Sequence, residues 1–114
     1  MSYWVYLEQG GESVVVDEHC EGGTFAVGGL SEAELNVTYN YGPHIRKHLH
    51  SDGLKWLQGR KAEDCIERLE NAVKALGTDR DPDYWGATPG NAGHALSILL
   101  RWARKHPEAV FYVS

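Results

Sequence analysis

The run Asp81-Pro-Asp-Tyr-Trp-Gly-Ala-Thr-Pro-Gly-Asn-Ala-Gly93 holds the side chains best suited to chemistry in this 114-residue chain. Tyr84 and Trp85 are rings in a polar loop. A ring so placed can stack on a flat heterocycle, which contributes roughly 1–3 kcal/mol in single-strand recognition. Just beyond them, Thr88-Pro-Gly-Asn91 reads as the start of a helix, with Thr88 or Asn91 as its N-cap. The N–H groups of Ala92, Gly93 and His94 would then point out of the helix end, where free donors and the helix dipole favour an anion. Gly90 and Gly93 would let a phosphate or carboxylate approach the backbone. The run lacks the lysine of GxxxxGK[ST] and does not match GxGxxG, so it carries no nucleotide fingerprint. The competing reading is a plain cap after a long loop, with the rings turned inward over the edge of a core.

A second junction, Asn40-Tyr-Gly-Pro-His44, lies where an alternating strand passes into a helix. Rigid elements on both sides make such junctions common binding positions, so Asn40, Tyr41 and His44 join Tyr84, Trp85, Thr88, Gly90 and Asn91 as candidate ligand-binding residues. Arg46 or Arg101 would neutralise a bound charge. A solvent-facing sheet followed by a proline-started helix is the alternative there.

Other constellations are weaker. His44 and His48 share a helical face, with His50 close behind, but Ile45-Arg46-Lys47 stands where HExxH would place its general base. Two cations between the ligands repel a divalent ion, so no metal site is expected. Cys20, Cys65 and the serines lack a nucleophile signature, and Cys65 falls on an apolar stripe where a thiol packs as a small hydrophobe. The acid pairs Glu32/Glu34 and Asp81/Asp83 read as solvated. No catalytic residue is assigned, and no cofactor is implied.

The elements that must position these residues follow from periodicity. Residues 3–7 and 13–16 are β-branched and aromatic runs around Gln9-Gly-Gly-Glu12, which predicts a hairpin. Thr24-Phe-Ala-Val27 is a further strand. Residues 34–41 alternate, with Leu35, Val37, Tyr39 and Tyr41 on one face and Glu34, Asn36, Thr38 and Asn40 on a wet or ligand-facing one. Helices are expected over 44–50, briefly over 54–57, and over 61–76, where Asp64–Arg68 and Glu70–Lys74 are spaced i,i+4 and Gly77 is the stop. The last helix, about 91–106, is apolar nearly all round and should sit centrally, with a terminal edge strand at 110–113. Strands first and helices afterwards predict one α+β domain over residues 1–114: an antiparallel sheet of about four strands against three to four helices.

Composition narrows the function. Apolar residues make up 42% of the chain, enough for a core and against disorder. A formal charge of −5 argues against sequence-tolerant binding to extended nucleic acid, though a local basic patch is compatible with it. The chain shows no basic leader and no apolar run of spanning length. With no CxxC spacing, Cys20 and Cys65 read as free thiols, and the expected compartment is cytoplasmic.

The wording of residues 34–112 resembles a group of small proteins encoded by phages and prophages of bacteria. The resemblance rests on Glu34-Leu-Asn-Val-Thr-Tyr-Asn-Tyr41, Leu54-Lys-Trp-Leu57, Tyr84-Trp85, Ala87-Thr-Pro-Gly-Asn-Ala-Gly93, Trp102-Ala103 and His106-Pro107. It implies a phage context and the cytoplasm of a bacterial host, and it carries over no catalytic residue. Small phage proteins of this sort often antagonise host defences. The resulting expectation is a non-enzymatic binding protein that holds a small anionic, nucleotide-like ligand. The alternatives are a module that binds a host or phage protein and, third, a small enzyme.

Overall fold

The computed structural model describes residues 2–16, 33–83 and 85–114. The fold is α+β: among the described residues, a four-stranded antiparallel sheet and three α-helices that lie in the chain between its third and fourth strands. Its central strand, β1 (Ser2–Gln9), pairs with β2 (Glu12–Ser13), β3 (Glu34–Thr38) and β4 (Val110–Val113). The hairpin turn at Gly10-Gly11 has positive φ at both positions (65° and 83°), which glycine adopts without strain and which matches the twist of the flanking strands. The expected strand at 24–27 lies outside the described residues, and the C-terminal β4 completes the four. Far from being open, the outer edge of β4 is met by residues 58–62. Gly59 N–H donates to the Phe111 carbonyl at 2.8 Å, Phe111 N–H to that of Arg60 at 2.9 Å, and Val113 N–H to Gln58 Oε1 at 2.6 Å. Covering an edge in this way blocks further strand pairing.

Strand β3 departs from its expected form. It stops at Thr38, because Thr38 Oγ1 accepts from the Asn40 N–H at 3.2 Å and caps a 3-10 turn over Tyr39–Tyr41. The alternation therefore breaks. Tyr41 is fully buried while Tyr39 is 42% exposed, so the two rings do not share a face. Nor is the opposite face wet, since Asn36 and Thr38 are both buried, and Asn36 Nδ2 donates to Ser2 Oγ at 2.8 Å.

Helix α1 (Gly42–His48) carries Pro43 in its first turn, where a missing N–H costs no hydrogen bond. A 3-10 turn over Gly53–Leu57 follows. The expected 61–76 helix is split: Lys61 is extended and bridges to Val110, Ala62–Cys65 is 3-10, and α2 proper is Ile66–Leu76 with Gly77 as C-cap. Of its two expected ion pairs, Glu70–Lys74 forms at 3.2 Å, whereas Asp64–Arg68 does not, because Arg68 turns to the Leu49 carbonyl. Helix α3 (Pro89–Lys105) packs most extensively on α2 and also meets α1 and the turns at 39–41 and 62–65. Its Ala92, Ala95, Leu96, Ile98, Leu99 and Ala103 are fully buried in one cluster with Val5, Leu7, Leu35 and Phe111 of the sheet. No helix among the described residues is long and apolar enough to cross a membrane.

Candidate functional site

The start of α3 is built from Thr88. Its Oγ1 accepts from the Asn91 N–H at 3.1 Å and its carbonyl accepts from the Ala92 N–H at 3.2 Å. With Thr88 as N-cap the helix begins at Pro89, two residues before the expected start. That shift removes the proposed donors. Ala92 is already bonded, and Gly93 and His94 fall within the i to i−4 ladder rather than at its open end.

The two glycines serve the protein's own backbone. A Cβ on Gly90 would lie 1.8 Å from the Asp79 carbonyl oxygen, and one on Gly93 would lie 1.7 Å from that of Gly77. The chain leaving α2 presses directly on the first turns of α3, filling the space in which a ligand was expected to approach the backbone. Asn91 closes the remainder. It is fully buried; its Nδ2 donates to the carbonyls of Asp83 (3.1 Å) and Gly86 (2.9 Å), and its Oδ1 accepts from the Asp81 N–H (2.8 Å). Two side-chain turns stiffen the loop further: Asp81 Oδ1 accepts from Asp83 N–H, and Asp83 Oδ1 from Trp85 N–H. What opens to solvent beside the helix start is a hollow of about 330 Å³, bordered by Asp79, Arg80, Asp81, Thr88, Pro89 and Gly90 among others.

The two candidate loops are neighbours. Asn40 Nδ2 donates to the Trp85 carbonyl at 3.0 Å, and His44 Nε2 contacts the Ala87 carbonyl at 2.8 Å. A carbonyl only accepts, so Nε2 of His44 carries the proton. Both side chains thus act as struts that hold residues 85–87. Trp85 itself is 49% exposed on this braced loop. Tyr41 points into the core, and Tyr84 lies outside the described residues.

Two residues flank this surface: Tyr39, expected on a buried face, and Arg46, expected to neutralise a bound charge. Tyr39 stands out from the junction with its ring centroid 4.5 Å from that of Tyr3. Arg46 folds back over the junction, its Nη1 only 2.7 Å from where a Gly42 Cβ would stand. The signal for Tyr39 was the Thr38 hydroxyl, a capping side chain that ends the alternation one residue earlier.

A second polar cluster surrounds Trp56. The His50 ring stacks on the indole with centroids 5.5 Å apart and planes 16° from parallel. Arg60 and Arg68 place their Cζ atoms 4.5 Å and 5.4 Å from the indole centroid. Burial pushes the Cys65 thiol up to about 11, with Arg60 acting in the opposite sense. It remains a neutral thiol, free and buried. Cys20 lies outside the described residues. Among the described residues no group of three or more His, Cys, Asp and Glu is placed to hold a metal ion. No protein-family model, curated protein or solved structure matches this chain.

Proposed function

We propose that this protein is a non-enzymatic binding protein whose working surface is Trp85 with Tyr39 and Arg46 around the 40–44 junction, and whose partner is another protein. The single observation that carries this reading is a half-exposed indole on a loop braced from the adjacent junction by Asn40 and His44. Trp, Tyr and Arg are the residue types that dominate binding energy at protein interfaces. A loop backbone already held in place loses little conformational freedom on binding, which favours affinity. In the phage context that the resemblance implies, the partner is a host protein and the role is antagonism of a host defence.

The test is a pull-down from bacterial lysate with the wild-type chain and with Trp85→Ala, followed by calorimetry on any purified partner. Loss of most of the affinity in Trp85→Ala, with an unchanged melting temperature, supports the reading. A partner held equally well by Trp85→Ala and by Tyr39→Ala would discard it.

A small anionic ligand, nucleotide-like in kind, is the second reading. The hollow beside Thr88 and Gly90, with Arg80 on its rim, is what favours it. Asp79 and Asp81 border the same hollow and oppose a negative guest. Stabilisation by cyclic or linear nucleotides in a thermal-shift screen, abolished in Arg80→Gln, would move this reading into first place.

A further inference from the structure

We propose that Arg60 and Arg68, held beside Trp56, form a binding site for the phosphate group of a small phosphorylated molecule. This site is separate from the Trp85 surface and does not depend on it. Both guanidiniums lie within 5.4 Å of one ring centroid. Each is fixed by a backbone contact: Arg60 Nε donates to the Trp56 carbonyl at 2.6 Å, and Arg68 Nη1 to the Leu49 carbonyl at 2.9 Å. Among the described residues, no further partner takes the remaining N–H groups of either fork. Neither arginine pairs with a carboxylate among the described residues, although the chain carries 16 acidic side chains against 11 Lys and Arg. Two like charges gathered on one apolar ring repel each other. An oxyanion between them would remove that repulsion.

The surroundings add donors and room. His50 Nδ1 accepts from the Asp52 N–H at 3.0 Å, which puts the imidazole proton on Nε2. The ring therefore offers a third donor beside the same indole. Arg68 also borders a hollow of about 350 Å³ between α1 and α2, together with His48, Leu49, Glu67 and Asn71. That volume suits a compact organic body rather than a bare ion. His50, Arg60 and Arg68 already pack against Trp56, so the indole orients the arginines instead of stacking on a base. Glu67 on the rim disfavours a long polyanion and accepts from a hydroxyl or amine on the body of the ligand. A small phosphorylated molecule meets all of these conditions.

The experiment follows the Arg60 and Arg68 Nε–Hε correlations in 1H–15N spectra of the whole chain during titration. The probes are inorganic phosphate, adenosine monophosphate and a short single-stranded oligonucleotide. Saturable shifts of both correlations with phosphate and with the monophosphate are expected. Arg68→Gln should weaken that binding about tenfold or more, since a charge-assisted hydrogen bond is lost. Arg60→Gln should act in the same direction, and it carries the test if Arg68→Gln loses amide dispersion. The proposal is overturned if no probe gives saturable shifts, or if either folded variant binds as the wild type does. Tighter binding of the oligonucleotide than of the monophosphate also overturns it, in favour of a nucleic-acid surface.

Discussion

The opening of α3 and the arginines at Trp56 pose the same problem, polar groups beside a helix, with opposite outcomes. At α3 the donors are consumed internally. Thr88 takes the Asn91 N–H, Asn91 ties three backbone groups of the 81–86 loop, and Gly90 and Gly93 admit the chain leaving α2. At Trp56 the guanidiniums are oriented by one carbonyl each and left without a countercharge among the described residues. A stretch rich in helix-start signals has become a sealed joint, while scattered arginines have become the open polar site. Motif density measures how well a loop is built, and unspent hydrogen-bonding capacity measures what it can bind.

The contrast can be broken most forcefully at the joint. Gly93→Ala places a methyl where the Gly77 carbonyl stands, 1.7 Å away, and should cost about 3 kcal/mol or more in a denaturant melt. A wild-type midpoint would show that residues 77–79 need not press on α3. Asn91→Ala strands Asp81 N–H and two carbonyls, and should cost about 2–4 kcal/mol, with faster amide exchange across 81–86. Asn40→Ala and His44→Ala each remove one strut, at about 1 kcal/mol apiece. Their diagnostic effect is increased exchange at the amides of Trp85 and Gly86, and unchanged protection there would mean that the loop braces itself.

At the arginine site the expected stability changes are smaller, and this asymmetry sharpens the comparison. Arg68→Gln should shift stability by less than about 1 kcal/mol, because it relieves repulsion as well as losing a contact with Trp56. Arg104 is the internal control, an arginine that does have an acid. Its contact, then that of Lys74, holds the exposed Glu70 carboxyl below its ordinary value of 4.5. A depressed carboxylate contributes stability that is complete above pH 4.5 and is lost as pH falls through the folded-state value. The melting-temperature difference between wild type and Glu70→Gln should therefore close below that pH. A difference that persists unchanged into acid would mean that the pair does not couple to folding.

Much of this was legible from residue order, and what was not has identifiable causes. A β-branched and aromatic run located β1, a period-two run located β3, the Gly10-Gly11 pair located the hairpin, and the apolar girth of 92–103 marked the central helix. Thr88 was recognisable as a cap because capping needs only a short-range bond. Tyr39 was misassigned because the strand ends on a side-chain bond from Thr38, which alternation does not register. Arg68 looked like the i,i+4 partner of Asp64, and an indole twelve residues away in the chain outcompeted it.

Local order alone determined the class of fold, the positions of most elements and the chemistry available in the 81–93 loop, because caps, turns and periodicity act over a few residues. Tertiary structure alone decided which of those polar groups remain available. Whether Asn91 faces a guest or its own loop, and whether Gly90 admits a ligand or the Asp79 carbonyl, depends on the path of the chain after α2. Buried polar groups must be satisfied by whatever packing brings within reach, and that partner is set by distance in space rather than in sequence.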